Sequence, residues 1–494
     1  MTGARPRTFL ACLAALAGAG LGCHSYDYSP RHGPGQIDLF DDLFAVSVAD
    51  EQHAVAVGYH GAVYYTEDGG KHWSKGTVPT NALLYGVSMA DSRHGWAVGQ
   101  LGTILRTEDG GRSWRLQPNL KIEEGSHLFG VQALDAQSAW AVGEWGTRIR
   151  TRDGGETWED HSLLIDLLHP QYVWLSERDQ EKVRNGEKVY DDVGLNSIFC
   201  LELPSQRCWT VGEFGYIFYS EDRGETWQRG EIASGFSIDP IPFGHNEIEI
   251  KGEHRAKLEE FAKAIAGESF LNVLIDPIAS PKEIREFGRG GDPTELFDIL
   301  SARMAEATSI LEDAGLLSDR LRTPNKPPWD YEDFLEDDPG FLERYLTGRQ
   351  GERSLLQIAV IQNPYLFTVS FRDEQTGLIS GLGGVILRSQ DGGRSWRYEA
   401  TDRKQAVFAV GYAETRALAI GEKGLIRESL DGGSAWREPA PERFPTIFTY
   451  MRDMAFDRHR RIGFIVGQEG MVLRTEDGGG SWSWVLPPPD RRRA

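Results

Sequence analysis

The chain has 494 residues, 40 % hydrophobic and 26 % charged, which is the composition of a folding chain and not of a disordered one. Its formal charge of −21 argues against wholesale nucleic-acid binding, which needs a basic face to displace phosphate counterions, and against simple adsorption to anionic lipid. Beyond residue 25 no apolar run approaches the ~18–20 residues that span a bilayer, and four Cys are too few for a disulfide scaffold.

At the N-terminus, Arg5 and Arg7 precede an apolar stretch over residues 9–21, a positive segment and a hydrophobic segment too short to span, so residues 1–22 are expected to be a signal peptide. Cys23 follows Gly20-Leu21-Gly22 and resembles the cysteine of a bacterial lipobox, although Gly20 stands where Leu is usual and Leu21 where Ala or Ser is usual. The expectation is an exported protein, lipidated at Cys23 and anchored in the bacterial cell envelope. The next residue, His24, is not the Asp that often retains lipoproteins at the inner membrane, which favours the outer one. The alternative is ordinary cleavage with Cys23 a spare thiol. Residues 23–37 read as a tether. Cys12 leaves with the signal. Cys200 and Cys208 then flank residues 201–207, on the two arms of one hairpin, where an exported protein permits a disulfide; the alternative is two separate buried thiols.

From residue 38 an internal repeat organises the chain. The pattern Ser/Thr-x-Asp-x-Gly-x-(Ser/Thr)-Trp begins as Thr66-Glu67-Asp68-Gly69-Gly70-Lys71-His72-Trp73 and recurs around Asp109, Asp153, Asp222, Asp391, Asp431 and Asp477. Successive Asp are 41, 44, 69, 169, 40 and 46 residues apart, so four intervals lie close to one blade length and two carry insertions. Ahead of each copy lies an apolar strand reached through a Gly turn, as in Val142-Gly143-Glu144-Trp145-Gly146 and Val211-Gly212-Glu213-Phe214-Gly215. Each repeat therefore reads as strand A, strand B, Gly turn, strand C, Asp motif, strand D, and four short strands at this period make a propeller blade. The predicted fold is all-β: a seven-bladed β-propeller with blades 1–4 over residues 38–230, blades 5–7 over 355–486, and a disordered tail over 487–494. In the motif the Asp accepts backbone N–H groups within its own turn, the Gly residues supply positive φ, and the Trp packs on the blade, so that losing one Trp costs ~3–5 kcal/mol. Seven copies spread round a ring cannot share one active site, so these Asp are read as structural.

These residues resemble Asp-box (BNR) propellers. More closely, Gly-x-Ile-x-Arg-Thr-x-Asp-Gly-Gly-x-Ser-Trp after Val-Gly-x-x-Gly resembles the photosystem II stability/assembly factor family over roughly residues 40–230 and 356–486. The resemblance implies a seven-bladed, exported, non-enzymatic propeller that binds protein partners and assists a membrane complex, with no cofactor, metal or small-molecule substrate. The two insertions and the lipobox depart from that family's compact pattern. The alternative from a different class is a glycan-binding or glycoside-hydrolase-like Asp-box propeller. Sialidases announce an arginine triad with (Phe/Tyr)-Arg-Ile-Pro, which is absent here; Met451-Arg452-Asp453 is the nearest segment.

Both insertions are connections from strand D to the next strand A, so both leave the rim that carries the B–C turns. The first covers residues 160–196. The second covers 231–354 and is expected to be mainly α-helical, from apolar residues at helical spacing over 253–266 and 294–314. It has more acidic than basic residues and places Trp329, Tyr331 and Phe334 among acids, a docking surface for a basic partner or a cap over the pore mouth. On the same rim the B–C turns present Tyr59, Glu144, Trp145, Glu213 and Phe214 as candidate partner-binding residues, exposed as anchors or covered by the insertions. Arg106, Arg150, Arg388 and Arg474 hold one equivalent strand-C position, as a basic patch or as inter-blade ion pairs with stems packed on Trp.

Overall fold

The computed structural model describes residues 41–166, 169, 172, 175–233, 236–266, 271–288, 293–322, 351–362, 364–399 and 404–485. The expected signal, Cys23, the tether and the tail lie outside these residues, as do Trp329, Tyr331 and Phe334.

The chain folds as an all-β propeller. In the first sheet, strand A is Leu43–Val48, strand B Ala54–Gly58, strand C Val63–Thr66 and strand D Ser74–Lys75, hydrogen-bonded in that order. The order repeats in the sheets that begin with Leu84–Met89, Leu128–Ala133, Leu195–Cys200, Leu366–Phe371 and Met451–Phe456. The sheet beginning with Val407–Tyr412 has three strands, and a single bridge from Glu428 to Arg437 takes the place of strand D. Strand B is buried from end to end, as in Gly95–Gly99 and Ala139–Gly143, because sheets cover both of its faces and it therefore needs a continuous apolar run instead of alternation. Cys200 and Cys208, directly paired on strands A and B of the fourth sheet, are joined by a disulfide.

The innermost A strands lie side by side from sheet to sheet, and Leu43–Val48 lies against Met451–Phe456, joining the first sheet to the last. No strand is exchanged across this seam among the described residues. Side chains hold it instead, together with a backbone bond from the Gly470 N–H to the Asp41 carbonyl at 2.9 Å. Val46 N–H donates to Asp453 Oδ2 at 3.0 Å, Glu469 N–H to Asp42 Oδ1 at 2.9 Å, and Trp73 meets Phe464 edge to face at 5.3 Å.

The Asp motif is a closed hydrogen-bond unit. Asp109 Oδ1 accepts from the Thr107 hydroxyl and the Ser113 N–H, both at 2.9 Å, and Oδ2 accepts from the Ser113 hydroxyl at 2.5 Å. Thr107 Oγ1 in turn accepts the Gly111 N–H, and Trp114 Nε1 donates to the Gly111 carbonyl, both at 3.0 Å. The two departures are compensated locally. His72 Nδ1 meets Asp68 Oδ2 at 2.6 Å, and where Ala435 lacks a hydroxyl the Ser434 N–H bonds Asp431 at 3.1 Å. At Asp153 the Thr157 hydroxyl and N–H hold the carboxyl down to about 2.

The glycine two residues after the motif Asp lies against strand B of the preceding sheet in every motif but the third, where Gly155 meets Gln117. A Cβ on Gly224 would fall 2.6 Å from the Trp140 ring, and one on Gly433 2.6 Å from Leu378 Cδ2, at φ of +91° and +95°. Around this contact the strand-C arginines act between sheets. Arg106 donates to the Gly154 carbonyl, Arg388 to Gly432 at 3.0 Å, Arg474 to Gly69, and Arg150 pairs with Glu225 at 2.6 Å. Arg106 and Arg150 also lie over Trp96 and Trp140. Of the expected inter-blade ion pairs only that of Arg150 is present; Arg106, Arg388 and Arg474 bridge the sheets by bonding carbonyls.

The second insertion differs from its helical expectation. It contains helices Gly252–Ile265, Pro281–Gly288 and Pro293–Asp313, but also a sheet of Ile241–Pro242, Leu355–Gln362, Leu271–Ile278 and Leu321–Arg322. Leu271–Ile278 alternates buried and half-buried residues, a two-residue period hidden between two helical ones. The boundary moves accordingly. Leu355–Gln362, assigned by sequence to the fifth blade, pairs with Leu271–Ile278 in the insertion, while Glu231–Ala233 adds a parallel strand to the outer edge of the fifth sheet at Ser395–Tyr398. The insertion has its own core, with Leu258, Phe261, Val273, Ile275, Met304 and Leu356, and Tyr398 packs against it. Arg303 and Glu283, both fully buried, pair at 2.8 Å inside it. No helix among the described residues is long and apolar enough to cross a membrane.

Two predictions follow from the packing. Gly224→Ala and Gly433→Ala each add a Cβ where neither the space nor the backbone accepts one, and each should lower unfolding stability by about 2–4 kcal/mol in denaturant titration. Asp453 keeps some surface as a residue, yet its carboxyl lies within the wall, and burial pushes its pKa from 3.8 up to about 6 against the pull of the Val46 and Met454 N–H groups. Folding therefore favours the protonated form. The associated stability is complete below pH ~4 and is lost as pH rises through about 6, by up to ~3 kcal/mol. Asp453→Asn should remove that decline when wild type and variant are unfolded in parallel between pH 4 and 7.5.

Candidate functional site

The rim bearing the B–C turns collects the groups that the structural repeat does not consume. Each turn forces its second residue into the left-handed region, which costs a non-glycine residue roughly 1–2 kcal/mol. That residue is His60, Leu101, Trp145, Phe214, Lys423 or Glu469, with φ between +51° and +58°. A large apolar side chain in such a position is held out from the sheet. Trp145 is 50 % and Phe214 53 % exposed, and Tyr59, at the first turn position, 44 %. These three candidates are therefore surface groups of one rim, joined there by exposed Leu101 and Leu382.

Glu144 and Glu213 have a different occupation. Glu144 Oε2 accepts the His127 N–H at 2.8 Å and Glu213 Oε2 the Gly194 N–H at 2.9 Å. Each carboxylate thereby fastens its turn to the segment entering the adjacent strand A. Glu213 also raises the pKa of Tyr365, after burial of that phenol, by accepting its hydroxyl.

Inside this crown lies a collar that the repeat pattern did not single out. Every strand A carries a β-bulge at its second residue, so that residue is unpaired and aimed away from the sheet. Those residues are Phe44, Tyr85, Phe129, Asn196, Phe367, Phe408 and Arg452, all half-buried. Their rings touch from sheet to sheet: Phe44 and Tyr85 at 6.1 Å, Tyr85 and Phe129 at 5.5 Å, Phe367 and Phe408 at 5.4 Å. Tyr59 stacks on Phe44 at 6.4 Å and ties crown to collar. The signal was present in sequence as an apolar residue followed by an aromatic one at the start of five strands A, but only the bulge shows that the second member leaves the core.

The first insertion closes beside this rim. Asp160 accepts from Lys188 Nζ at 3.0 Å and the Tyr190 hydroxyl at 2.9 Å; burial opposes its ionisation, and these bonds with those from Ser162 hold its pKa below the usual range. Among the described residues no group of three His, Cys, Asp or Glu side chains is placed to hold a metal ion.

Repeat, bulge and turn together define an Asp-box β-propeller with an aromatic mouth. Residues 73–173 match the family described as photosynthesis system II assembly factor YCF48, and residues 218–229 match the BNR/Asp-box repeat, so the chain is similar to a photosystem II assembly factor-like BNR propeller. No curated protein is significantly similar in sequence. Among solved structures, YCF48 bound to D1 peptide is 15 % identical, with 90 % of this chain and 96 % of that one covered and a TM-score of 0.47. YCF48 from Cyanidioschyzon merolae is 13 % identical, with 88 % and 95 % covered and a TM-score of 0.47. The GH74 xyloglucanase from Xanthomonas campestris is 10 % identical, with 92 % of this chain and 56 % of that one covered and a TM-score of 0.49.

Proposed function

We propose that this protein is a non-enzymatic envelope scaffold, resembling photosystem II assembly factors, that binds a protein partner and assists the assembly or stability of a membrane complex. In this reading the ring has seven blades, the sheet of Met451–Phe456 closing on that of Leu43–Val48. The signal over 1–22 directs export, a lipid on Cys23 anchors the chain in the cell envelope, and the insertion over 231–354 stands beside the fifth blade.

The observation that carries the reading is the crown of exposed apolar side chains on one rim, held in left-handed turns. Strain of this kind persists where the surrounding structure enforces it and function uses it. Large aromatic side chains presented on a rigid frame are the usual anchors of a protein interface. The match of residues 73–173 to an assembly-factor family supports the same reading. The glycan reading finds less support, because Glu144, Glu213 and Asp42, carboxylates of this rim, each accept a backbone N–H.

Trp145→Ala combined with Phe214→Ala should abolish co-purification of the partner with the lipoprotein while leaving the thermal midpoint within about 2 °C of wild type, since surface changes away from packed features rarely exceed about 0.5 kcal/mol. Undiminished co-purification would discard the rim as the interface. Cys23→Ser should eliminate incorporation of labelled palmitate and release the protein from the membrane fraction; labelling that survives the substitution would discard the anchor.

A further inference from the structure

Beyond Trp145 and Phe214, the B–C rim leaves further apolar side chains in water on either side of the ring closure. Phe448, 77 % exposed, stands between the sixth and seventh sheets, where the Gly424 N–H of the sixth turn donates to the Thr449 carbonyl at 3.0 Å. Tyr59 is exposed on the turn of the first sheet and Leu101 on that of the second. Ile122, exposed on the short helix Leu120–Glu124, lies against the same second turn, since a Cβ on Gly102 would strike the Ile122 nitrogen. These four side chains follow one another round the ring through the seam between the last sheet and the first. The chain itself enters the propeller in their midst, for Asp41, the first described residue, accepts the Gly470 N–H of the seventh turn. Charge along this arc is mixed, with Lys423 on the sixth turn and Glu469 on the seventh. The second insertion stands outside the arc, beside the fifth sheet, where Glu231–Ala233 pairs with strand D.

We propose that this arc of Phe448, Tyr59, Leu101 and Ile122 dips into the head-group layer of a zwitterionic lipid bilayer and sets the propeller on the membrane with its tethered side down. Large apolar side chains are unfavourable in water and favourable in that layer, where a Tyr also keeps its hydroxyl among the head groups. Side chains scattered over separate turns suit a fluid surface that moulds to each of them, whereas a protein partner needs packing as dense as an interior. Mixed charge on the arc, in a chain of net charge −21, favours zwitterionic over anionic lipid. Cys23 lies 18 residues before Asp41, at most ~60 Å of extended chain. A lipid on Cys23 therefore holds this side of the rim, and not the opposite rim, nearest the bilayer. The proposal rests on the reading of the protein as a lipid-anchored scaffold for a membrane complex and names the surface on which the rim stands. Trp145 and Phe214, on the third and fourth sheets at the end of the arc, are left to the partner.

The test uses the mature full-length chain carrying Cys23→Ser, so that no acyl chain contributes, and vesicles of phosphatidylcholine alone or mixed with phosphatidylglycerol. In sedimentation at excess lipid the chain should partition onto phosphatidylcholine vesicles, with no release by high salt and no gain from phosphatidylglycerol. The contact is weak without the anchor, so the same chain is shed when a membrane fraction is washed. Adding Phe448→Ser, Leu101→Ser and Ile122→Ser together should lower the partition coefficient at least about tenfold. Leu430→Ser, which takes an equally exposed leucine from the opposite rim, should leave it unchanged. Failure to partition onto phosphatidylcholine, release by salt, a requirement for phosphatidylglycerol, or undiminished partition in the triple variant overturns the inference. The lipid and salt comparisons do not involve the triple variant, so its misfolding cannot obscure them. The outcomes are separable from those above. If Trp145→Ala with Phe214→Ala loses the partner while the chain ignores vesicles, this inference fails and the scaffold reading stands. If those variants keep the partner while the chain binds vesicles as expected, the scaffold reading fails at the rim and this inference stands.

Discussion

The fold depends on one contact that recurs in all but one of the motifs: the glycine two residues after the Asp pressed against strand B of the preceding sheet. Gly224 against Trp140 and Gly433 against Leu378 leave no room for a methyl group, and their φ near +90° suits no other residue type. The Asp exists to hold that glycine in place, through hydroxyl and N–H bonds within its own turn. The strand-C arginine then fastens the same loop from the neighbouring sheet, as Arg388 does at Gly432. Motif, glycine and arginine are thus one device for joining sheets edge-on without a shared strand.

That device has a consequence for function. It fills the rim of the A–B turns and Asp motifs with satisfied hydrogen bonds and leaves the opposite rim to vary. There the same backbone plan, a left-handed turn and a bulge, recurs with different side chains. The turn carries Trp145 in one sheet and Lys423 in another, and the bulge carries Phe408 in one and Arg452 in the next. Repetition supplies the frame, and departures from repetition mark what the frame presents. Arg452 is the sharpest departure, because a charge replaces a ring at a position whose neighbours remain rings.

The architecture was legible because its signals are local. Asp-Gly-Gly-x-Ser-Trp fixes a turn, Val-Gly-x-x-Gly fixes the turn before it, and their spacing fixes strand length. The candidates on the turns were legible in part. Trp145 and Phe214 stand out as large side chains beside glycine, and the structure leaves them exposed. Glu144 and Glu213 look the same in sequence, yet their carboxylates reach back to the His127 and Gly194 N–H groups, contacts spanning 17 and 19 residues. The strand at Leu271–Ile278 escaped because its partner, Leu355–Gln362, lies far along the chain and gives no local sign of pairing.

The amino-acid sequence alone determined the repeat, the strand order within each sheet and the structural role of the Asp, because each rests on dihedral preferences and hydrogen bonds a few residues apart. The tertiary structure alone decided how the ends of the ring meet, through Val46 and Asp453, 407 residues apart. It likewise decided which second residue of strand A leaves the core. A bulge shifts the side-chain alternation by one residue, and that shift is set by pairing with strand B and not by the residue that makes it. The cage around Arg452 is of this second kind, since Phe44 and Phe408 come to it from the two neighbouring sheets and become its neighbours only when the ring closes.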